Sequence, residues 1–353
     1  MLYTRLGCSG VKVSNICLGT MTFGPHDRPG NCSEELSHNI LDRFVELGGN
    51  FVDTADVYCS GMSETIIGNW LQKIGGRRHE LVLATKGRFA PGLEGSINGA
   101  CLSRKHLINE VEESLKRLQT DYIDLYQWHC YDRSTPLEES LRTMDDLVRA
   151  GKIRYFGVSN FCGWQLQKLA DLCKSMGMTP CISLQQQYSL LSREFELEGV
   201  DVCTNEGMAV LPWSPLKGGW LTGKYDKSMQ SAPDGTRIQY ATAINSELFS
   251  HPPWNALAND EVWSLLDKMK AIAKQHEKTV SQVAIRWLLQ KKSVTSVVIG
   301  CKTVKQLEDN LGASGGWELS DDDMDVLNTA SQQKIPYPYS LTDRYNKRFD
   351  EFM

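Results

Sequence analysis

Asp53 and Tyr58 lie within FVDTADVYCS (residues 51–60), where an apolar run ends, and two later apolar runs end near Lys86 and His129. Hydride addition to a carbonyl carbon leaves negative charge on the oxygen, which then needs a proton. A free phenol has a pKa of about 10, and a nearby ammonium lowers it. We therefore expect Lys86 to lower the pKa of Tyr58, Asp53 to keep Lys86 charged, and His129 to donate to the substrate oxygen or orient it.

Eight short apolar runs alternate with amphipathic helical segments along the chain. Runs of this length are typical of parallel strands that are buried on both faces. Helix signals fill the gaps: Ser33 precedes the striped segment EELSHNILDRFVEL, and further helical segments begin near Ser103 and Gly163. The predicted strands are ICLG near 16, NFVD near 50, LVLAT from 81, YIDLYQ from 122, YFGVS from 155, CISLQ from 181, AVLPW from 209 and SVVIG from 296.

This alternation predicts a single (β/α)8 TIM barrel domain over residues 1–353 rather than a doubly wound sheet. YTRLGCSGVKVS predicts an N-terminal β-hairpin, and residues 214–259 form a long loop after strand 7. The C-terminal tail, rich in aromatic residues and proline, is expected over the barrel mouth, although its composition equally suits a tethered surface segment. Polar residues at the carboxyl ends of the strands should converge on one mouth, where barrels of this kind build their sites.

Composition excludes several classes of function. The net charge of −5 argues against nucleic-acid binding. No apolar run reaches the roughly 20 residues of a membrane span, and the N-terminus does not resemble a secretory signal. The 11 cysteines include no C-x-x-C pair, which favours reduced thiols and the cytoplasm, and no His or Cys spacing predicts a metal site. The expected partner is a small molecule, and the choice between a monomer and a homo-oligomer stays open.

These segments, in this order, resemble the aldo-keto reductases over nearly the whole chain, from TRLGCSGVKVSNICLGT to QLEDNLGA. SPLKGGWLTGKY resembles the long-loop branch, which includes reductases and the β-subunits of potassium channels. NFVDTADVY, LATKG and DLYQWH resemble the segments that carry the catalytic residues of this family. The resemblance implies catalytic roles for Asp53, Tyr58, Lys86 and His129, with NADPH (NADP+) as the cofactor, held without a Rossmann fold.

The same resemblance implies a cofactor site that is spread over several segments. One group would bind the nicotinamide, the next would lie along the pyrophosphate, and the last would hold the adenosine end. These residues are Ser159, Asn160, Gln185 and Trp213 for the nicotinamide, Ser214, Leu216, Lys217, Gly219 and Lys224 for the pyrophosphate, and Gly300, Lys302, Gln306, Asp309 and Asn310 for the adenosine.

Alternatives exist for some of these residues. Gln306 stands where many members of the family carry an arginine on the 2′-phosphate, so the preference for NADPH depends on Lys302 and other basic residues. The QLEDN segment also reads as an ordinary helix start. Ser159 and Asn160 also suit a helix cap, and Gln186 is an alternative to Gln185.

The predicted function is NADPH-dependent reduction of an aldehyde or ketone, sugar-derived or aromatic/aliphatic, with Tyr58 as proton donor. The alternative is an NADPH-binding redox-sensing or regulatory subunit with little turnover, and a (β/α)8 hydrolase or phosphosugar enzyme is a third hypothesis. Trp128, Trp220 and Tyr225 predict a partly aromatic substrate pocket. The segments expected to select the substrate are 20–32, 87–102, 131–134, 220–259 and the tail.

Overall fold

The structure, a computed structural model, describes residues 1–25, 31–89, 96–243 and 253–350. Parts of the segments expected to select the substrate, and the last three residues of the tail, lie outside the described residues. The strands are β1 (Tyr3–Arg5), β2 (Lys12–Ser14), β3 (Ile16–Gly19), β4 (Phe51–Asp53), β5 (Val82–Gly87), β6 (Ile123–Trp128), β7 (Ile153–Ser159), β8 (Cys181–Gln187), β9 (Ala209–Trp213) and β10 (Val297–Ile299).

Strands β3 to β10 form a closed parallel barrel in the order β10-β3-β4-β5-β6-β7-β8-β9. Closure occurs where β10 pairs with β3, with Val297 opposite Ile16. The barrel strands are almost entirely buried, which is why they are apolar on both faces. The predicted (β/α)8 barrel and all eight of its strands are confirmed.

The barrel interior is apolar at depth and polar at the mouth. Its apolar cluster includes Phe51, Ala84, Leu125, Leu211 and Val298. Side chains alternate between the two faces of a strand, so residues two positions farther along point to the same interior. Those residues are Asp53, Lys86, Gln127, Trp213 and Gly300.

The N-terminal hairpin closes the opposite end of the barrel. Strands β1 and β2 pair antiparallel, with Thr4 opposite Val13. Leu6 and Val13 are fully buried and belong to the same cluster as the barrel interior. The hairpin thus excludes water from the end of the barrel that faces away from the mouth.

Helices cover the outside of the barrel, and their first turns follow the expected capping chemistry. The Ser33 side chain accepts a hydrogen bond from the Leu36 N–H, and Glu34 and Glu35 occupy the first turn of α1. The helices are α1 (Glu34–Glu46), α2 (Met62–Ile74), α3 (Arg104–Leu118), α4 (Leu137–Arg149), α5 (Gly163–Met176), α6 (Gly199–Glu206), α7 (Arg237–Ala243), α8 (Trp254–Leu257), α9 (Asp260–Gln275), α10 (Val280–Leu289), α11 (Val304–Leu311), α12 (Asp321–Ala330) and α13 (Tyr339–Asp350).

The long segment after β9 and the C-terminal tail both contain helices. Helices α7 and α8 lie within residues 214–259, and the tail forms α13. The Tyr339 hydroxyl contacts Glu198 at 2.5 Å, which fixes the start of α13 to the loops at the carboxyl end of β8. Tyr337 and Tyr345 are mostly exposed. The tail is therefore tethered at the rim of the mouth, and much of its apolar surface faces solvent.

None of the helices in the described part of the chain combines the length and the apolar character needed to cross a membrane.

Candidate active site

A buried ion pair lies at the centre of the mouth. Lys86 on β5 and Asp53 on β4 approach to 2.5 Å between Nζ and Oδ1, and both side chains are almost completely buried. The Lys86 ammonium also donates to the Thr54 carbonyl oxygen at 2.9 Å. Burial alone would lower the pKa of Lys86, but the charge of Asp53 and the Tyr58 oxygen outweigh it, and the pKa is raised. The ammonium therefore stays charged inside the barrel.

Two amides, from β6 and β8, complete the shell around Asp53. Gln127 on β6 donates to Asp53 Oδ2 at 3.0 Å, and Gln185 on β8 donates to the same oxygen at 2.8 Å. These bonds satisfy the carboxylate in a site that water does not reach. Gln127 was not predicted, although its position two residues before His129 places it on the interior face of β6.

Tyr58 lies just beyond β4, with its hydroxyl 3.2 Å from Lys86 Nζ. The three residues after it, Cys59, Ser60 and Gly61, all have positive φ angles, so the chain turns away sharply behind the phenol. Burial raises the pKa of Tyr58, and the charge of Lys86 lowers it only in part. The expected effect of Lys86 is present, but the expected net lowering of the Tyr58 pKa is wrong. Burial disfavours the phenolate by more than the Lys86 ammonium stabilises it.

His129 follows β6 and contacts Tyr58 edge to face, with ring centroids 5.9 Å apart. Phe89 also packs against this ring, with its centroid 5.0 Å from the imidazole. Burial, together with the positive charges of Lys86 and Arg88, holds the pKa of His129 well below its ordinary value. Its Nδ1 is buried without a hydrogen-bond partner among the described residues. The imidazole is therefore neutral at physiological pH.

Asn160 connects three strands at the rim of the mouth. It adopts a left-handed backbone conformation, with φ of 57°, which asparagine tolerates better than most residues. Its side-chain nitrogen donates to the His129 carbonyl at 2.9 Å and to the Ser159 hydroxyl at 3.0 Å. Its side-chain oxygen accepts from the Trp213 indole at 3.2 Å. Four of the residues predicted to surround the nicotinamide, Ser159, Asn160, Gln185 and Trp213, thus lie around the Asp53–Lys86 pair.

The loop after β9 turns tightly at the mouth. Ser214, Lys217, Gly218 and Gly219 all have positive φ angles. The Ser214 hydroxyl is buried and has no partner among the described residues. The Lys217 ammonium donates a hydrogen bond to Ser192 Oγ at 2.5 Å. Burial lowers the pKa of Lys217. Leu216 packs partly buried against the core.

Three cations, Lys224, Arg237 and Lys302, lie close enough for their charges to interact. Burial and then the charges of Lys302 and Arg237 lower the pKa of Lys224. Burial and the charge of Arg237 likewise lower the pKa of Lys302. None of the three has an ion-pair partner in the described ranges, so no carboxylate there offsets their mutual repulsion. Arg237 was not predicted, since its place in a long loop carries no local signal.

The residues predicted for the adenosine end begin at β10 and continue into α11. A side chain at Gly300 would meet no atom within 4 Å, so the space above it is open. Gln306 accepts a hydrogen bond from the Lys302 backbone N–H at 2.8 Å, and its own N–H donates to Thr303 Oγ1. Asp309 binds Thr279 and Gln282 of α10, and Asn310 is buried. Gln306 therefore helps to start α11, which is the ordinary helical interpretation of this segment.

The aromatic pocket is placed differently from the prediction. Trp128, Trp220 and Tyr225 are fully buried in the main core, and Trp220 stacks on Trp254 with centroids 4.9 Å apart. They therefore stabilise the wall of the barrel and do not line a pocket. The aromatic rings beside His129 are those of Tyr58 and Phe89.

Comparison with known proteins assigns a family. Residues 15–332 match the model of the Aldo/keto reductase family. The chain is 36% identical to the oxidoreductase YrpG of Bacillus subtilis, over 89% of this chain and 91% of the relative. It is 35% identical to a norsolorinic acid reductase of Emericella nidulans, over 94% and 82% of the two chains. It is 32% identical to an aryl-alcohol dehydrogenase of Pestalotiopsis microspora, over 94% and 83%.

Proposed function

This chain belongs to the aldo/keto reductase family of oxidoreductases, and we propose that it reduces an aldehyde or ketone to an alcohol with NADPH as the cofactor and Tyr58 as the proton donor. NADPH supplies the hydride when it is bound. The observation that carries this proposal is the buried series of contacts from Asp53 through Lys86 to the Tyr58 hydroxyl, beside a neutral His129.

Tyr58 and His129 divide the work at the carbonyl oxygen. The raised pKa of Tyr58 keeps its proton in place at neutral pH. Once that proton moves to the substrate oxygen, the phenolate faces the Lys86 ammonium, which stabilises it. In the tautomer that carries its proton on Nε2, the neutral imidazole donates to the substrate oxygen from Nε2. This tautomer agrees with Nδ1, which has no partner among the described residues.

Charge at the mouth supports NADPH over NADH. The 2′-phosphate of NADPH adds negative charge, and Lys224, Arg237 and Lys302 form a group of cations without carboxylate partners among the described residues. The buried Ser214 hydroxyl and the successive left-handed residues after it suit a phosphate, because such turns direct backbone N–H groups into a concavity. A side chain at Gly219 would come within 2.6 Å of the Lys224 ammonium, and the φ of 103° at this position also favours glycine.

The proposed cofactor residues divide by region. Ser159, Asn160 and Gln185 would orient the nicotinamide amide, and Trp213 would face its ring. The remaining residues would line the pyrophosphate and adenosine: Ser214, Leu216, Lys217, Gly219, Lys224, Gly300, Lys302, Gln306, Asp309 and Asn310, to which we add Arg237.

Aromatic aldehydes are the first substrates to test, because one relative is named an aryl-alcohol dehydrogenase. We also propose a cytoplasmic location, since all eleven cysteines carry free thiols and many of them are buried.

The experiment that tests the proposal compares the wild type with Tyr58→Phe. We expect tryptophan fluorescence to show saturable binding of NADPH, about 10-fold or more tighter than NADH, as one hydrogen bond to a charged group would produce. The variant should lose about 10²-fold to 10⁴-fold in turnover of benzaldehyde, the contribution of a general acid, while its Kd for NADPH stays within about 2-fold. Preserved turnover would show that Tyr58 is not the donor. NADPH binding without turnover in the wild type would favour the regulatory-subunit alternative.

A further inference from the structure

Arg88 stands at the mouth, two residues after Lys86 at the end of β5. Its side chain is half-buried, and the guanidinium carbon lies 5.2 Å from the centre of the Phe89 ring. The Phe89 ring in turn lies 5.0 Å from the His129 ring. These spacings keep the guanidinium within about 10 Å of the imidazole, which is about one Debye length in 0.1 M salt.

The guanidinium of Arg88 is unpaired within the described part of the chain. Its Nε is buried without a hydrogen-bond partner there. Arg78, Arg117 and Arg193, which are also partly buried, each pair with a carboxylate at 2.6 to 2.8 Å. Arg88 has no such pair among the described residues, although a buried N–H donor without a partner costs free energy. An unsatisfied donor at the mouth suggests a partner that arrives from outside the chain.

The charge of Arg88 acts on the imidazole of His129. After burial and Lys86, it is the third contribution that lowers the pKa of His129. The carbonyl that His129 would contact therefore lies within the electrostatic field of the guanidinium. Phe89 packs against both groups and provides an apolar surface for the part of a substrate that joins them.

We propose that Arg88 determines substrate specificity by binding a carboxylate on the substrate, so that the preferred substrates are carbonyl compounds with a carboxylate a short distance from the reacting carbonyl. This inference rests on the proposed function, because it takes the carbonyl to lie at Tyr58 and His129. The planar guanidinium presents a pair of N–H donors that matches the two oxygens of a carboxylate. An aryl or short alkyl spacer along Phe89 would join the two ends.

The test uses two aldehydes of the same shape, 4-carboxybenzaldehyde and its neutral methyl ester. We expect the wild type to reduce the carboxylate with the higher kcat/KM. Arg88→Gln should lower kcat/KM for the carboxylate about 10-fold to 100-fold, as expected for the loss of one charged hydrogen-bonded pair, and change that for the ester less than about 3-fold. Arg88→Lys should fall between them, because it keeps the charge but loses the fork.

Arg142→Gln serves as the matched control, since Arg142 is exposed on α4 and the substitution removes the same charge. It should leave both substrates unchanged. The Kd for NADPH should stay within about 2-fold in Arg88→Gln; weaker NADPH binding would assign Arg88 to the cofactor instead. Equal losses on both aldehydes, or none on either, would overturn the inference.

Calorimetric titration with 4-(hydroxymethyl)benzoate, with and without NADP+, separates this inference from the proposed function. Binding that Arg88→Gln weakens by 10-fold or more would support the carboxylate site even if no aldehyde were reduced. In that case only the proposed function would fail. Binding that is equal in the wild type and the variant would overturn the carboxylate site whatever the activity.

Discussion

The Asp53 carboxylate is bound on both oxygens by groups from three other strands. Lys86 binds Oδ1, while Gln127 and Gln185 bind Oδ2. Both oxygens of this buried carboxylate are therefore hydrogen-bonded, as a charge removed from water requires. Under the proposed function, Asp53 holds the ammonium in place, and the ammonium stabilises the negative charge that forms on Tyr58.

His129 provides a prediction about stability and pH. An unfolded histidine titrates near pH 6.5, roughly, whereas burial and two nearby cations hold the pKa of folded His129 well below its ordinary value. Between those two pKa values the unfolded chain binds one more proton than the folded chain. The free energy of unfolding should therefore fall as the pH drops below about 6.5, by up to about 1.4 kcal/mol per pH unit from this residue.

His129→Gln removes this contribution and keeps a polar side chain of similar size. Urea unfolding of both proteins at pH 7.5, 6.5 and 5.5 measures this contribution. The other titrating groups, including His106, are present in both proteins, so their effects cancel in the comparison. The wild type should lose about 1 kcal/mol more than the variant between pH 6.5 and 5.5. Equal losses would mean that the imidazole titrates alike in the folded and unfolded chains, so that burial does not lower its pKa.

At the scale of elements, β5 and β6 approach closely beside Lys86. A side chain at Gly87 would come within 1.9 Å of the Tyr126 hydroxyl. That hydroxyl is buried and has no hydrogen-bond partner among the described residues. Gly87 also pairs in register with Trp128, one residue before His129. The spacing of Lys86 and His129 therefore depends on the absence of a side chain at Gly87.

Gly87→Ala should lower the free energy of unfolding by about 1–3 kcal/mol, because the added methyl overpacks the contact. Tyr126→Phe removes the opposing oxygen and should be neutral or stabilising, since that hydroxyl is unsatisfied. The double variant should recover most of the loss in denaturant unfolding. A double variant no more stable than Gly87→Ala would place the clash elsewhere in the two strands.

At the scale of the whole molecule, the two ends of the barrel have different tasks. The hairpin seals one end with Leu6 and Val13, and polar strand ends occupy the other. Because the apolar interior lies between them, water has no route to the Asp53–Lys86 pair from the hairpin side. The low-dielectric setting that governs the pKa values at the mouth thus depends on a segment at the far end of the barrel.

Leu6→Ala tests the contribution of the hairpin. Leu6 is fully buried, so its truncation should lower the free energy of unfolding by about 2–5 kcal/mol. Ile97→Ala is the control, because Ile97 is 97% exposed and should change stability by less than about 0.5 kcal/mol. Urea unfolding measures both. Similar small effects from both substitutions would show that the hairpin adds little to the core.

Local patterns in the chain were sufficient to predict the barrel and the residues that its strand ends bring together. Alternation along each strand depends only on the backbone, so Asp53 and Lys86 had to share the interior once their strands were identified. Ser33 was recognised as a helix start for the same reason, because its hydroxyl acts on an N–H three residues away. Contacts that follow from such short-range geometry can be predicted from the sequence.

Tertiary structure alone decided the quantities that depend on many distant neighbours. The net direction of the Tyr58 pKa follows from how completely the surrounding chain excludes water, which no pair of residues specifies. The charge of Arg237 acts on Lys224 and Lys302 from within a long loop, and no local sequence pattern predicts the path of that loop. Trp220 and Tyr225 lie in the core because aromatic residues from later in the chain pack against them. Trp254 contacts both rings, and Trp263 contacts Trp220. The sequence alone determined that Asp53, Lys86 and His129 meet at the mouth, because each lies at the end of a barrel strand. Desolvation and long-range packing, which sum over the whole fold, determined the protonation of these residues and brought Arg237 to the same region.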